Sequence, residues 1–170
     1  MRNRFKIGVL VLLPGLVNPA RLPAQDRFEP LFLIERSTNA NVVHYDARIG
    51  PQGSLQPAQP VVVYWKMHAK DGHREDLTSL EKRRVFGISV APQPDGGTFL
   101  VRIAAQPARD IRVFLERGAA RAETLIAGKR AFLKRLFIST GKLNIFRVNY
   151  IDVFGLDAAT GAEVRERIAP

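Results

Sequence analysis

From residue 31 onward the chain is a series of short runs rich in β-branched and aromatic residues. Each run is closed within a few positions by glycine, proline or a polar turn. The runs are residues 31–36, 41–48, 61–67, 98–104, 110–117, 122–127, 130–138, 146–155 and a last short one at 162–168. Between them fall Gly72, Gly96-Gly97, Gly118, Gly128, Gly141 and Gly161, where positive φ is most often needed. No period of 20–50 residues repeats, which argues against a solenoid or propeller. So many strands in one small domain must protect their edges, and closure into a barrel or packing of two sheets are the usual solutions. The expected fold is therefore mainly β: an antiparallel β-barrel or β-sandwich of about eight to ten strands.

One segment breaks the β pattern. Thr78-Ser79-Leu80-Glu81 matches a capping box, in which the Thr78 hydroxyl accepts from the Glu81 amide and Glu81 reaches back to the Thr78 amide. Lys82-Arg83-Arg84 then suit the negative end of a helix dipole. Gly87 is placed to supply a left-handed C′ residue. A short α-helix is expected over residues 78–86. The basic triplet is explained by that helix without a binding role.

The N-terminus has the order of a secretory signal peptide: Arg2, Arg4 and Lys6, then the apolar run Ile7 to Leu13, then Pro14-Gly15 and an Ala-containing segment. The apolar run is shorter than the roughly 20 residues needed to span a bilayer. Cleavage is expected after Ala24, with Ala20 as the second choice. Residues 1–24 are thus read as signal, 25–30 as linker and 31–170 as a single domain. The product would be exported, periplasmic or secreted, without a stable membrane anchor. The chain has no Cys, so it has no lipid attachment site, no disulfide and no thiolate chemistry.

The whole chain carries a formal charge of +10. Four of its basic residues lie in the signal and no acidic one does, so the exported domain is only modestly basic. That balance suits contact with anionic envelope material. Nucleic acid is a poor partner for an exported protein, and basic residues interleaved with aromatic platforms are not evident along the chain.

Few residues form a chemical constellation. His68 and His73 flank Lys70-Asp71-Gly72 near Glu75 and Asp76, but the spacing matches no zinc motif. No G-x-S-x-G elbow is present. Glu35, Asp46, Asp110, Glu116 and Asp152 fall on or beside strands. Two of them facing a cavity could serve a hydrolase, while pairing with Arg36, Arg48, Arg112 or Arg147 across strands is the simpler role. No cofactor is implied. The densest polar set, Glu35 to Asn41, either makes an Asx or Ser/Thr turn or forms a rim where Arg36, Asn39 and Asn41 orient an anionic or hydroxylated ligand. In the run at 61–67, Val61, Val63, Trp65 and Met67 share a core face. Val62, Tyr64, Lys66 and His68 share the other, and Tyr64 and Lys66 join the candidate binding residues. In residues 130–138, strict alternation places Phe132, Lys134, Leu136 and Ile138 on one face and Ala131, Leu133, Arg135 and Phe137 on the other.

The segments LFLIERSTNANVVHYDARI (31–49), VVVYWKM (61–67), EDLTSLEKRRVFGI (75–88), GKRAFLKRLFIS (128–139) and VNYIDVFGLDAATGAEVRERIAP (148–170) together resemble a bacterial exported family, domain of unknown function 4833. Val85-Phe86-Gly87 stand where that family typically has Ala-Tyr-Gly. The resemblance implies a single exported domain and supplies no catalytic residues. Three function classes follow, in this order. The first is non-enzymatic binding of a small or anionic envelope ligand. The second is a structural or protein-interaction role. The third is hydrolysis by strand-borne carboxylates.

Overall fold

The computed structural model describes residues 25–141 and 147–169. The expected signal segment lies outside them. Eleven strands and one helix follow in the order β1 (Arg27–Arg36), β2 (Asn39–Ile49), β3 (Val61–Lys66), β4 (Arg74–Asp76), α1 (Ser79–Arg84), β5 (Ile88–Pro92), β6 (Phe99–Ile103), β7 (Gln106–Glu116), β8 (Ala119–Ile126), β9 (Lys129–Thr140), β10 (Val148–Asp157) and β11 (Glu163–Ile168). The fold is mainly β, one sheet curled into a half-barrel. Arg27 to Pro30, expected as linker, are the first residues of β1.

The strand order is β4-β3-β2-β1-β9-β8-β7-β6-β5, with β10 on the free edge of β9 and β11 beyond it. The spine is β9. One of its edges is shared: Lys129–Phe132 pair with β8, and Arg135–Ile138 pair with β1. The β1–β9 pairing is parallel, a departure from the expected antiparallel sheet. It joins strands about a hundred residues apart in sequence, which no local turn signal announces.

Inward residues alternate as a half-buried strand requires. Val43, Tyr45, Ala47 and Ile49 of β2, Val61 and Trp65 of β3, Ile111 and Val113 of β7, and Val153 of β10 are all buried in one hydrophobic cluster. Strict alternation fails in β9. Leu133 pairs with Gly155 and Arg135 with Phe154, so Lys134 is an extra residue, a β-bulge. The bulge returns Leu136 to the core beside Leu133 and Ala131, and leaves Phe132, Lys134, Arg135 and Phe137 outside. The two expected face sets of this run are therefore exchanged after Lys134.

The helix forms for the expected reason. Thr78 is the N-cap, and both halves of the capping box are present. The role of Gly87 differs from expectation. Its φ is not positive, and a Cβ there would lie 1.8 Å from the Lys82 carbonyl oxygen, so glycine is required by close approach. Left-handed turns do occur at Arg117-Gly118 and Ala127-Gly128, where both residues have positive φ and the hairpins β7–β8 and β8–β9 turn in two residues.

Candidate functional site

The expected binding residues divide between the two faces of the sheet. Arg36 follows Ile34 on the inner face and pairs in register with Ile138 of β9. Tyr64 and Lys66 lie on the outer face, because Trp65 between them points inward. One ligand cannot touch Arg36, Tyr64 and Lys66 together. Asn39 and Asn41 serve the fold: the Asn39 side-chain oxygen accepts from the Asn41 amide at 3.0 Å, and that of Asn41 accepts from the Ala69 amide at 2.9 Å. The Asx-turn reading of this segment describes Asn39.

On the outer face the Tyr64 hydroxyl donates to Asp46 Oδ2 at 2.7 Å, His44 stacks on the Tyr64 ring at 5.4 Å, and the Arg74 guanidinium lies 3.9 Å from its centroid. Burial and the Asp46 carboxylate push the Tyr64 phenol up to about 12. Burial moves the His44 imidazole the opposite way, below its ordinary value. Lys66 pairs in register with Val42 and Arg74. His73 contacts Asp71 through Nδ1 and Glu75 through Nε2, and these two carboxylates hold its pKa above the usual value.

Asp46 meets the Tyr64 hydroxyl, and the other four strand carboxylates form ion pairs across strands with partners other than those expected. Glu35 meets Arg135, Asp110 meets Arg102 and Glu116 meets Arg121. Asp152 is 3% exposed and held by both Arg165 and Arg167. Those guanidinium groups keep its carboxyl well below the usual range. Glu123, also buried, sits between Arg112 and Arg130. A general acid needs a raised pKa, and Asp152 has the reverse.

The inner mouth of the half-barrel is different. The Arg36 guanidinium lies 4.7 Å from the Trp65 ring centroid and 5.8 Å from that of Phe86. Trp65 Nε1 donates to Glu81 Oε1 at 3.1 Å, while Glu81 Oε2 accepts from the Thr78 amide and hydroxyl. The capping-box carboxylate thus also fixes the tryptophan under Arg36. Arg36 is half-buried, and among the described residues no carboxylate forms an ion pair with it. Burial lowers its pKa below the usual arginine value, and the charge of Glu81 opposes that shift.

From Arg36 an apolar row crosses the sheet. Arg36 pairs with Ile138, Ile138 with Ile151, and Ile151 with Ile168. Ile151 and Ile168 line a cavity of about 740 Å³, whose far wall is Ala105 to Asp110 with Thr124 and Leu125. Sequence creates that wall locally. Between Ile103–Gln106 and Val101–Ile111 the β6–β7 ladder is interrupted, so Pro107 to Asp110 peel away from β6. Pro107 has no amide hydrogen with which to continue the ladder. The Arg109–Glu166 pair in the wall is mutually neutralising at 3.0 Å. A second link joins the two parts: the Ala105 amide donates to the Val85 carbonyl at 3.1 Å, beside Phe86.

Four buried side-chain polar atoms among the described residues have no hydrogen-bond partner. Three belong to this region. Arg36 Nε is at its head, Thr140 Oγ1 is two residues beyond Ile138 on β9, and Gln106 Oε1 is in the cavity wall. Buried polar groups are normally satisfied by protein or by ordered water, so these are positions where solvent or a bound group completes the hydrogen bonding. The fourth, Asp46 Oδ1, belongs to the outer face. Sequence reasoning found Arg36 but missed Gln106, Arg109, Ile151 and Ile168. The available signal was Pro107 interrupting an otherwise strand-like stretch.

No helix among the described residues is long and apolar enough to cross a membrane. No curated protein and no solved structure matches the chain. The family described as domain of unknown function (DUF4833) matches residues 32–167, most of the chain, and the protein belongs to that family.

Proposed function

We propose that this protein is an exported cell-envelope domain that binds a small anionic ligand without transforming it. The observation that carries the reading is Arg36. A half-buried cation without an ion-pair partner is costly unless something compensates it, and buried charges are ordinarily paired. A guanidinium is suited to that task because it forks a carboxylate or phosphate with two parallel hydrogen bonds. A cavity of about 740 Å³, lined by Ile151 two strands along the row from Arg36, falls in the range of small-molecule sites. Export is supported by the basic-apolar-polar order of residues 1–24.

Two measurements test the proposal. N-terminal sequencing of exported protein should begin at Gln25, or secondarily at Arg21, and an intact Met1 in a cytosolic fraction would contradict export. Native mass spectrometry of protein taken from its own envelope should show an adduct that Arg36→Gln loses while keeping the wild-type thermal midpoint. The same adduct on both proteins would reject the Arg36 site, as would none on either.

A further inference from the structure

The geometry points to the class of ligand: we infer that it is a single-chain amphiphile, with its anionic head on Arg36 and its apolar chain along Ile138, Ile151 and Ile168 into the cavity. This rests on the anion-binding reading of Arg36 and goes further by specifying what is attached to the anion.

Two features argue for a chain. First, the site is elongated. Neighbouring strands lie about 4.8 Å apart, so the row from Arg36 to Ile168 spans three spacings, roughly 14 Å. A phosphate or a short carboxylate would occupy only its head. Second, charge and apolar surface are separated along that length. The unpaired cation is at one end, and the three isoleucines that follow are partly buried against the core and uncharged. In the cavity, the Arg109–Glu166 pair offers no free charge to a second anionic group. Transfer of the chain from water supplies affinity in proportion to the apolar area covered.

The chemistry is shared by free fatty acids and by single-chain phospholipids, and the test distinguishes them. Trp65 is the only tryptophan in the sequence and lies against Arg36, so its emission reports on the head position. The mature chain is titrated, below micelle concentrations, with dodecanoate, a lysophosphatidic acid, butyrate, inorganic phosphate and dodecanol. Dodecanoate or the lysophospholipid should shift Trp65 emission saturably, and the tighter of the two identifies the head chemistry. Butyrate, phosphate and dodecanol should bind at least about tenfold more weakly, since a charge-assisted hydrogen bond or a buried chain each contributes that much or more. Arg36→Gln should weaken the long-chain anion by about tenfold or more. Ile151→Asp should abolish binding, and Ile168→Ser should weaken it if the aspartate variant fails to fold. Butyrate or phosphate binding as tightly as dodecanoate would overturn the chain and leave the anion site standing. Long-chain binding indifferent to both Arg36 and Ile168 would overturn the placement and mark surface adsorption. If no probe moves Trp65 while envelope-derived protein carries an Arg36-dependent adduct, the ligand class is wrong and the site is right.

Discussion

Arginine lies on aromatic rings on both faces of this sheet, and the two faces treat its charge differently. Outside, Arg165 and Arg167 lie 5.2 Å and 3.9 Å from the centroids of Phe154 and Tyr150, and both bind the buried carboxylate of Asp152. Arg112 and Arg130 do the same for Glu123. Inside, Arg36 rests on Trp65 and Phe86, feels the charge of Glu81 and forms no ion pair with any described carboxylate. The outer arginines close their own electrostatic circuit and knit strands together. Arg36 contributes stacking and, among the described residues, makes no side-chain hydrogen bond. The same residue type on the same kind of platform is therefore structural where a counter-ion is built in, and available for a ligand where it is not.

The largest effect expected around this contrast comes from removing the inner platform. Trp65 is buried among Val43, Phe86 and their neighbours, so Trp65→Ala should cost about 3–5 kcal/mol by denaturant unfolding. A loss below about 1 kcal/mol would mean that Trp65 is not part of the core.

The outer circuit comes next. Asp152→Asn should lower the denaturant midpoint at neutral pH, because two arginines lose their shared partner. The folded-state pKa of Asp152 is depressed, so its contribution is present above the ordinary value of 3.8 and is lost as pH falls through the folded value. The wild-type and variant midpoints should converge as pH drops below 3.8. A difference independent of pH would assign the effect to packing.

Thr78→Ala tests whether the helix cap sets the position of the inner platform. It should cost on the order of 1 kcal/mol and alter Trp65 emission through Glu81, whereas Ser79→Ala should be nearly silent. Equal effects at the two sites would show that the capping register is wrong.

The smallest stability effect sharpens the contrast most. Arg36→Gln should change stability by less than about 1 kcal/mol, because it breaks no ion pair and the lost ring stacking is offset by relief of a half-buried charge. Its effect should appear in ligand retention. A loss as large as that of Asp152→Asn would make Arg36 another structural arginine.

Much of the fold was legible along the chain. Alternation identified Val61, Val63 and Trp65 as a core face, the Gly-punctuated spacing gave most strands, and Thr78 with Glu81 gave the helix and its cap. β4, Arg-Glu-Asp, has no apolar residue, and β5, five residues ending in Pro92, was too short to stand out. The bulge at Lys134 left no local mark, and it reversed the faces of Leu136 and Phe137. The site was less legible. Arg36 was found from its polar neighbours, but Tyr64 and Lys66 were joined to it across a sheet that separates them. Basic and aromatic residues that are not interleaved in sequence, such as Arg167 with Tyr150 and Arg135 with Phe154, meet through strand pairing.

Local rules therefore decided what each segment is: strand where alternation and β-branching are regular, helix where a capping box opens a basic turn, and turn where glycine permits positive φ. Tertiary structure alone decided which residues became a site. Arg36 and Ile138 become neighbours through a parallel pairing that closes a long loop, and Ile151 and Ile168 extend the row only because β10 and β11 add to the other edge of β9. A period of two places a side chain on one of two faces. Which strands lie beside it, and so whether its charge finds a partner, depends on contacts between residues far apart in sequence.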